Sequence, residues 1–416
     1  MTALATPPAP AEIAGQSRIA PLTLIGAILL VGGAGLLGYS YFGHHGTPVA
    51  LALMLAGIGT CMLFQRTAES VLVPVLAVLA AFVPFSAFLM VSGTNPLPVI
   101  LYMYDGAFSN TFSFQNTLTR AAPLMLTGLC TALPMRLGMV IIGGEGALIV
   151  GALASAAAAH LLQGHGPLMI ISSMLVAGFL MGGIWITISG ALRHYRGVNE
   201  TISSLLMIYI AQAIMDQLVE GPWRDPESLN KPSSWPIGDE NMLGTIHFGS
   251  FAMDVHWGLL FGIVACLVAF VLMHYTVFGF SARVIGGNIR AAKVAGISVG
   301  KSVLIACMLA GGAAGLAGAI EIAAVQGAVN DSLTQSRYGY TGILVAFLAR
   351  QNPVAIIPVA ILIGGIGASA DLLQTRLHLP DATSMVLQGM IFLMILASES
   401  YYGRFKFLQP KEAVHG

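Results

Sequence analysis

The chain has 416 residues, no net formal charge and only 9% charged side chains, whereas 56% of its residues are apolar. About a quarter of the residues of an ordinary soluble domain are charged, so eighteen acidic and eighteen basic side chains cannot cover the surface of a soluble protein of this length. The composition therefore indicates an integral membrane protein, and it offers no excess of positive charge for nucleic acid.

Apolar segments long enough to cross a bilayer, roughly 17–25 residues, recur along the whole chain. The first is too long for a signal-peptide core, which predicts an uncleaved first span. Frequent Gly and Pro predict that some helices are broken or half-spanning. We expect an all-α polytopic bundle of roughly ten to twelve membrane helices in one domain, 21–402, between tails 1–20 and 403–416. The segments begin near Pro21, Pro48, Ser70, Thr119, Gly146, Pro167, Asn199, Val255, Val303, Pro353 and Ser384, with a shorter apolar piece from Gly339 to Ala349.

The distribution of charge predicts the orientation of the chain. Basic residues without acidic ones occupy 276–302, and further basic residues surround His194 and occur in the C-terminal tail. Acidic residues dominate the long, Pro-rich segment 220–256. Because short cytoplasmic loops are enriched in Lys and Arg, we expect 276–302 and both termini in the cytoplasm and 220–256 outside.

Small residues inside the apolar segments predict close packing. Gly311 and Gly315 lie four residues apart in the segment 303–325, a spacing that lets two helix backbones approach closely. The four cysteines all lie in apolar runs and have no metal-ligand spacing, so we expect them to be packing residues. They are Cys61, Cys130, Cys266 and Cys307.

The stretch VAGISVGKS at 294–302 approaches the phosphate-binding loop G-x-x-x-x-G-K-[ST], with Ala295 in place of the first glycine. Such a loop needs a buried strand before it and a helix after it in an α/β domain. Here polar Asn288, Arg290 and Lys293 precede it and an apolar span follows. We therefore expect no nucleotide to bind at this stretch.

The same residues predict a short cytoplasmic helix. Gly286 and Gly287 break the preceding span, Asn288 is a good N-cap, the helix covers 289–295, and Gly296 suits the left-handed stop. Two turns are unstable alone in water, so this helix would gain order by docking on a partner. It would present Ile289, Ala292 and Val294 together with Arg290 and Lys293; the alternative is a solvated, positively charged loop.

At these residues the chain resembles a known family. The run Gly279-Phe-Ser-Ala-Arg283, followed by G-x-N-x-x-A-A-x-x-A-G-I up to Ile297, resembles the coupling segment of permeases of the simple-sugar and nucleoside ABC importers. Four further blocks resemble that family in the right order, so that the resemblance covers roughly 119–398. They are Ala122–Leu129, Gly143–Gly146, Asn199–Ala211 and Gly339–Ala346 with Pro353.

The nucleoside-type branch, which works with basic-membrane lipoproteins, is the more similar one. It shares the N-E-x-I-S stretch at Asn199 and a long Pro-rich outer segment such as 221–237. This chain departs from the branch where it often has an amide or a proline. The departures are Ile141, Ala147, Ile208 and Ile289.

The resemblance implies a permease subunit of the bacterial plasma (inner) membrane that moves nucleosides or related purine and pyrimidine compounds inward. It implies three protein partners: a cytoplasmic ATP-binding subunit, a second permease that is the same or a paralogous chain, and an extracytoplasmic substrate-binding protein. ATP and Mg²⁺ would be bound by the partner ATPase, and this chain would hold no cofactor and catalyse no reaction. The residues that would couple it to the ATPase are Gly286, Asn288, Ile289, Arg290, Ala291, Ala292, Lys293 and Gly296.

Polar and aromatic residues within the spans are candidates for the substrate pathway. Carboxylates inside a membrane are energetically costly and usually face a cavity or a partner. Glu145 and Glu321 are such groups. The alternative to a substrate contact is a purely structural role, in which the carboxylate holds its helix to another span. Glu321, and also Asp371, would then pair with Arg136 or Arg350. Aromatic and amide side chains suit a nucleoside, although aromatic residues also serve as core or interface packing. The full candidate set is Glu145, Tyr209, Gln212, Glu321, Gln326, Asn330, Tyr340 and Phe347.

Three rival interpretations remain. The imported compound can be a simple, pentose-like sugar. The chain can be a self-sufficient secondary transporter that uses Glu145 or Glu321 as a proton site. An intramembrane enzyme is disfavoured, because the sequence has no HExxH, no GxSxG at the start of a helix and no paired aspartates.

Overall fold

The computed structural model describes residues 69–228, 231–247 and 254–399, and these are almost entirely helical. The two predicted spans that begin near Pro21 and Pro48, both tails and Cys61 lie outside the described residues. Within the described part, seven helices are long and apolar enough to cross a membrane, which is consistent with the predicted total.

The first half of the described chain contains six helices. Asn95 and Asn110 cap α2 and α3: their side chains accept the N–H groups of Leu97 and Ser113 at 3.1 and 2.8 Å. α2 was not predicted, and α3 begins eight residues before the predicted Thr119, because both contain polar residues that an apolar run does not include. The helices are α1 (Glu69–Val91), α2 (Pro96–Phe108), α3 (Thr111–Met135), α4 (Gly144–Leu161), α5 (Pro167–Arg196) and α6 (Glu200–Glu220).

The second half begins with a short antiparallel hairpin, β1 (Thr245–His247) and β2 (Asp254–His256), in which Thr245 pairs with His256. A π-helical turn, Ile322–Gln326, extends α10. The remaining helices are α7 (Gly258–Tyr275), α8 (Val277–Gly287), α9 (Ile289–Val294), α10 (Val299–Glu321), α11 (Ser332–Gln335), α12 (Tyr338–Leu348), α13 (Pro353–Ala368), α14 (Ala370–Leu377) and α15 (Ala382–Glu399).

Backbone contact between glycines holds α4, α5 and α10 together, as the small-residue spacing predicts. A Cβ atom placed on Gly315 would lie 2.1 Å from the carbonyl oxygen of Gly178, and one on Gly151 would lie 2.4 Å from the Cα of Gly315. Because no side chain separates these backbones, the three helices pack as closely as helices can. Around them, α1, α5 and α7 expose many large apolar side chains, as expected of a surface that faces lipid.

The two ends of the bundle are chemically distinct, as the charge pattern predicts. At one end the ring of His194 lies against Gly300, and Gly286 packs on the backbone of Arg136. At the other end the segment after α6 is bonded to the residues after α10: the N–H of Ile237 donates to the carbonyl of Gly327 at 2.9 Å. The predicted coupling segment and the acidic segment therefore lie at opposite ends.

Candidate functional site

Two helices, the 18-residue α4 and the 11-residue α12, begin at the same point and meet head to head inside the bundle. α4 begins at Gly144, the break that the glycines around Glu145 predict, and α12 begins at Tyr338. They run to opposite ends: His160 of α4 contacts the carbonyl of Trp235 in the acidic segment, whereas Gln351, just past α12, accepts a bond from Arg136. Gly146 packs on Ile208 of α6. The meeting point of α4 and α12, which we call the junction, therefore lies about 10 Å from the start of α6, a helix about 30 Å long.

Glu145 connects the two helix starts. It is 2% exposed, and its Oε2 accepts the backbone N–H of Gly339 at 2.7 Å. The N–H of Tyr340 also faces this carboxylate. Since a helix N-terminus carries partial positive charge, the starts of α4 and α12 both favour the anion. The second oxygen, Oε1, is buried and has no hydrogen-bond partner among the described residues, so it can accept a bond from a ligand.

A row of exposed or half-buried polar side chains leads away from Glu145 along α6 and through the loop before α12 into its first turn. Tyr340 interacts electrostatically with Glu145, Tyr209 and Arg337, and Asp216 interacts with Asp331. Gln212 is exposed between Tyr209 and Asp216 on α6. We call this row the polar seam; it consists of Tyr209, Gln212, Asp216, Asp331, Arg337 and Tyr340.

Trp185 adds a hydrogen-bond donor near the junction. A Cβ atom on Gly146 would lie 3.1 Å from the indole Nε1. This Nε1 is buried and has no partner among the described residues. The junction therefore offers one buried donor and one buried acceptor close to the aromatic rings of the polar seam, a combination that suits a small polar molecule with a flat face.

Glu321 forms a separate buried pair. It ends α10, is 4% exposed and accepts a bond from Nε2 of Gln326 at 3.1 Å across the π-helical turn. Arg120 and the phenol of Tyr338 act on it electrostatically. Asp371 pairs with Arg120 at 3.3 Å. The predicted partners were Arg136 or Arg350, whereas the structure places Arg120 near both carboxylates.

Two other candidates lie away from the junction. Asn330 is at the end with the acidic segment, where it bridges to Ser233 and its side chain accepts the N–H of Ser332 at 2.9 Å. Phe347 packs edge-on against Phe392 with ring centroids 5.7 Å apart, on the side of α12 that faces α15. It lies about 10 Å along α12 from Tyr340, so the structure does not bring it to the Glu145 junction, and its observed contact is packing against α15.

The coupling segment has the predicted local structure. Asn288 caps α9 by accepting the N–H groups of Arg290 and Ala291 at 2.9 and 3.1 Å, and Gly296 stops the helix with a φ of 76°. One detail of the preceding part is wrong: α7 already ends at Thr276, and Gly286 and Gly287 close a separate helix, α8. The stretch that approaches a phosphate loop is thus the end of one helix, a turn and the start of another.

The exposed face of α9 differs from the predicted one. Ala292 is fully buried in the chain's own core and cannot contact a partner, because α9 rests on the bundle through this side chain. Ile289 and Val294 are exposed, Val294 by 90%. A groove of about 420 Å³ adjoins this face. It is lined by Leu137, Gly138, Arg193 and the run Ile285–Arg290.

Several residues around these sites were not singled out by sequence. Arg337 has a left-handed backbone with a φ of 50° and faces Glu145. Glu200 is buried and forms an ion pair with Arg193. The only signal that marks Arg337 in the sequence is its position as a lone cation shortly before a glycine where a helix is broken. The partner of Glu200 could not be predicted, because it depends on how α5 packs against α6.

Comparison with known proteins identifies relatives over most of the chain. Residues 113–396 match the family described as branched-chain amino acid transport system / permease component. A glucose ABC transporter permease of Haloferax volcanii is 31% identical, over 79% of this chain and 87% of its own length. A guanosine ABC transporter permease of Bacillus subtilis is 27% identical, over 79% and 93%. A nucleoside ABC transporter permease of Lactococcus lactis subsp. cremoris is 25% identical, over 78% and 91%.

Proposed function

The chain belongs to the family of permease components of branched-chain amino acid transport systems and is a multi-pass permease subunit of an ABC importer; from that premise we propose that it moves nucleosides or related purine and pyrimidine compounds inward. The junction at Glu145 carries this proposal. It combines two tyrosine rings with a carboxylate oxygen and an indole N–H that have no hydrogen-bond partner in the described part of the chain. Two of the relatives are named for guanosine or nucleosides.

A second cargo class has a specific observation in its favour. The relative named for glucose is 31% identical, against 27% and 25% for the two named for nucleosides. A carboxylate oxygen and an indole N–H can also bind the hydroxyl groups of a simple sugar. Tyrosine rings stack on the flat face of a base as well as on the apolar face of a sugar, so the contents of the site fit both compounds.

Uptake of labelled compounds decides between the two. Vesicles that contain the permease, its ATPase and its binding protein should import guanosine or uridine in preference to ribose or glucose. Replacing Tyr209 or Tyr340 by Ala should slow uptake about tenfold, since stacking of a base on an aromatic ring contributes about 1–3 kcal/mol. Tyr195→Ala is the matched control, because Tyr195 is 66% exposed at the far end of α5, much like Tyr209 at 61%. Preference for a sugar would overturn the nucleoside assignment.

The polar seam supports a second permease subunit as a partner. On α6, a helix apolar enough to cross a membrane, Tyr209 and Gln212 of the seam are exposed and Asp216 is half-buried. Polar and ionisable groups rarely face the hydrocarbon of a bilayer, so this row should face a water-filled pathway that a second permease closes from the other side. On this proposal Asp216, Asp331 and the acidic segment form the outer mouth, where a substrate-binding protein delivers the cargo.

The partner ATPase would dock on the exposed face of α9. This proposal rests on the cap and stop that fix α9, on its exposed apolar and basic side chains, and on the adjoining groove. ATP and Mg²⁺ would belong to that partner, and both ends of the chain would lie in the cytoplasm beside it. This chain needs no catalytic group, because the partner would convert the free energy of ATP hydrolysis into movement of α9.

Co-purification tests this docking surface. Val294→Glu adds a charge to the most exposed apolar side chain of α9 and should abolish association with the ATPase while leaving membrane insertion intact. Val198→Glu is the matched control, because Val198 is 40% exposed at the same end of the molecule but outside the coupling segment. Unchanged co-purification of the Val294→Glu variant would contradict the assignment of α9.

A further inference from the structure

The segment between α3 and α4 connects the docking groove to the Glu145 junction. It comprises residues 136–143, a turn followed by residues without helical or strand structure, and we call it the strut. At one end Leu137 and Gly138 line the groove. At the other end the strut leads directly into Gly144 and Glu145, which contact Gly339. The strut is therefore the shortest covalent route between the two functional regions.

The coupling segment contacts the strut through backbone atoms. A Cβ atom on Gly286 would lie 2.3 Å from the carbonyl oxygen of Arg136. Gly138 faces the same glycine and has a φ of 75°. Because no flexible side chain lies between the two backbones, a displacement of the end of α8 is passed to the strut rather than absorbed.

The strut is bonded to α6 in a matching register. The N–H of Val140 donates to Oε1 of Glu200 at 3.3 Å, and the N–H of Ile142 donates to Oγ of Ser204 at 3.2 Å. Two residues of extended chain span about 6.7 Å, and four residues of helix rise about 6 Å, so each second strut residue meets the next turn of α6. Thr201 adds a third hydrogen bond between α6 and the strut, since its Oγ1 donates to the carbonyl of Val140 at 2.8 Å.

We propose that the strut transmits movement of the docked coupling segment to the Glu145–Gly339 junction, with Glu200 and Ser204 of α6 as the positioning residues that keep it in register. Glu200 also forms an ion pair with Arg193, a groove-lining residue near the end of α5. The hydrogen bonds between α6 and the strut are therefore connected to α5 as well. When the groove changes shape, the strut slides or tilts as a unit and opens or closes the contact between α4 and α12. This inference rests on the proposed docking of the ATPase at α9.

Adjacent serines of α6 provide a matched pair of variants. Ser203 and Ser204 are both buried, and each hydroxyl donates to the carbonyl three residues before it, at 3.3 and 3.2 Å. Only Ser204 also accepts a bond from the strut. In reconstituted transporter, Ser204→Ala should lower the amount of substrate imported per ATP hydrolysed by roughly three- to tenfold, the effect of one hydrogen bond, whereas Ser203→Ala should leave that ratio unchanged.

Two further measurements guard against a variant that merely misfolds. Thr201→Val removes the donor to Val140 at a partly exposed position and should lower the same ratio. Trp185 packs on Gly146 beside the junction, so its emission, with the other three tryptophans replaced by Phe, should change on addition of ATP in Ser203→Ala and much less in Ser204→Ala. Equal ratios in the two serine variants, or import and hydrolysis that fall in proportion in Ser204→Ala, would overturn the strut. Wild-type uptake that needs no ATPase would instead overturn the proposed function.

Discussion

Gly339→Ala is the substitution for which the structure gives the sharpest expectation. Gly339 is the second residue of α12 and lies where that helix touches the start of α4. A Cβ atom at this position would lie 2.2 Å from the backbone nitrogen of Glu145, 2.4 Å from its Cα and 2.6 Å from its Oε2. Two of these three atoms belong to the backbone, so rotation of the Glu145 side chain cannot relieve the overlap.

The geometry sets the size of the effect. Restoring an ordinary contact of 3.4 Å from 2.2 Å requires α4 and α12 to separate by about 1.2 Å. A movement of that size stretches the 2.7 Å bond between Gly339 and Glu145 out of hydrogen-bond range. Overpacking costs roughly 1–3 kcal/mol, and loss of a hydrogen bond to a charged group costs about 1.5–3 kcal/mol. We therefore expect a destabilisation of about 3 kcal/mol together with loss of uptake.

Thermal unfolding of the purified protein in detergent measures the first effect, and uptake by vesicles measures the second. Gly389→Ala is the control, since Gly389 lies inside α15 with no atom within 4 Å of an added Cβ. There the change to Ala should be neutral or stabilising by up to about 1 kcal/mol. If Gly339→Ala unfolded at the same temperature as Gly389→Ala and transported normally, the contact between α4 and α12 would be refuted.

Three other variants test separate parts of the account. Glu145→Gln keeps an acceptor for the N–H of Gly339, so its unfolding temperature should stay near that of the wild type while uptake falls about tenfold through loss of the charge; normal uptake would reduce Glu145 to a structural lock. Gly315→Ala should lower the unfolding temperature by several degrees, because its Cβ would lie 2.1 Å from the carbonyl oxygen of Gly178, and an unchanged temperature would contradict the glycine contacts. Burial lowers the pKa of His256 in the hairpin of β1 and β2, so the folded state binds fewer protons than the unfolded state. The stability of the protein should therefore be constant above pH about 6.5 and decline as the pH falls below that value. His256→Gln should weaken this decline in unfolding temperature between pH 7.5 and 5, and an identical decline in both proteins would exclude His256 as its source.

Much of the fold could be predicted because membrane helices leave strong local signals. The starts of α5, α6, α13 and α15 fall within two residues of the predicted positions. A helix cap could also be predicted: Asn288 accepts the N–H groups of Arg290 and Ala291 at 2.9 and 3.1 Å, as expected of an N-cap. These features depend on a few neighbouring residues, so one sequence is enough to find them.

Features that depend on the meeting of distant segments were not predictable. Whether Ala292 faces a partner or the core depends on how α9 rests on the bundle, and a helix of six residues has no periodicity long enough to decide it. Phe347 has the composition of a substrate contact, but its observed contact is packing against α15. The part of the strut before Gly143 carries no motif, because its bonds to α6 are made by backbone N–H and carbonyl groups, and every residue except proline possesses both.

The energy source of transport tests the central claim most directly. Vesicles should be prepared with the permease alone and with the permease, ATPase and binding protein together, and uptake of labelled guanosine should be followed with and without internal or external ATP and with a protonophore. The account predicts accumulation only in the complete system, dependent on ATP on the side of the ATPase and insensitive to the protonophore. Accumulation by the permease alone, driven by a pH gradient and abolished in the Glu145→Gln variant, would contradict it.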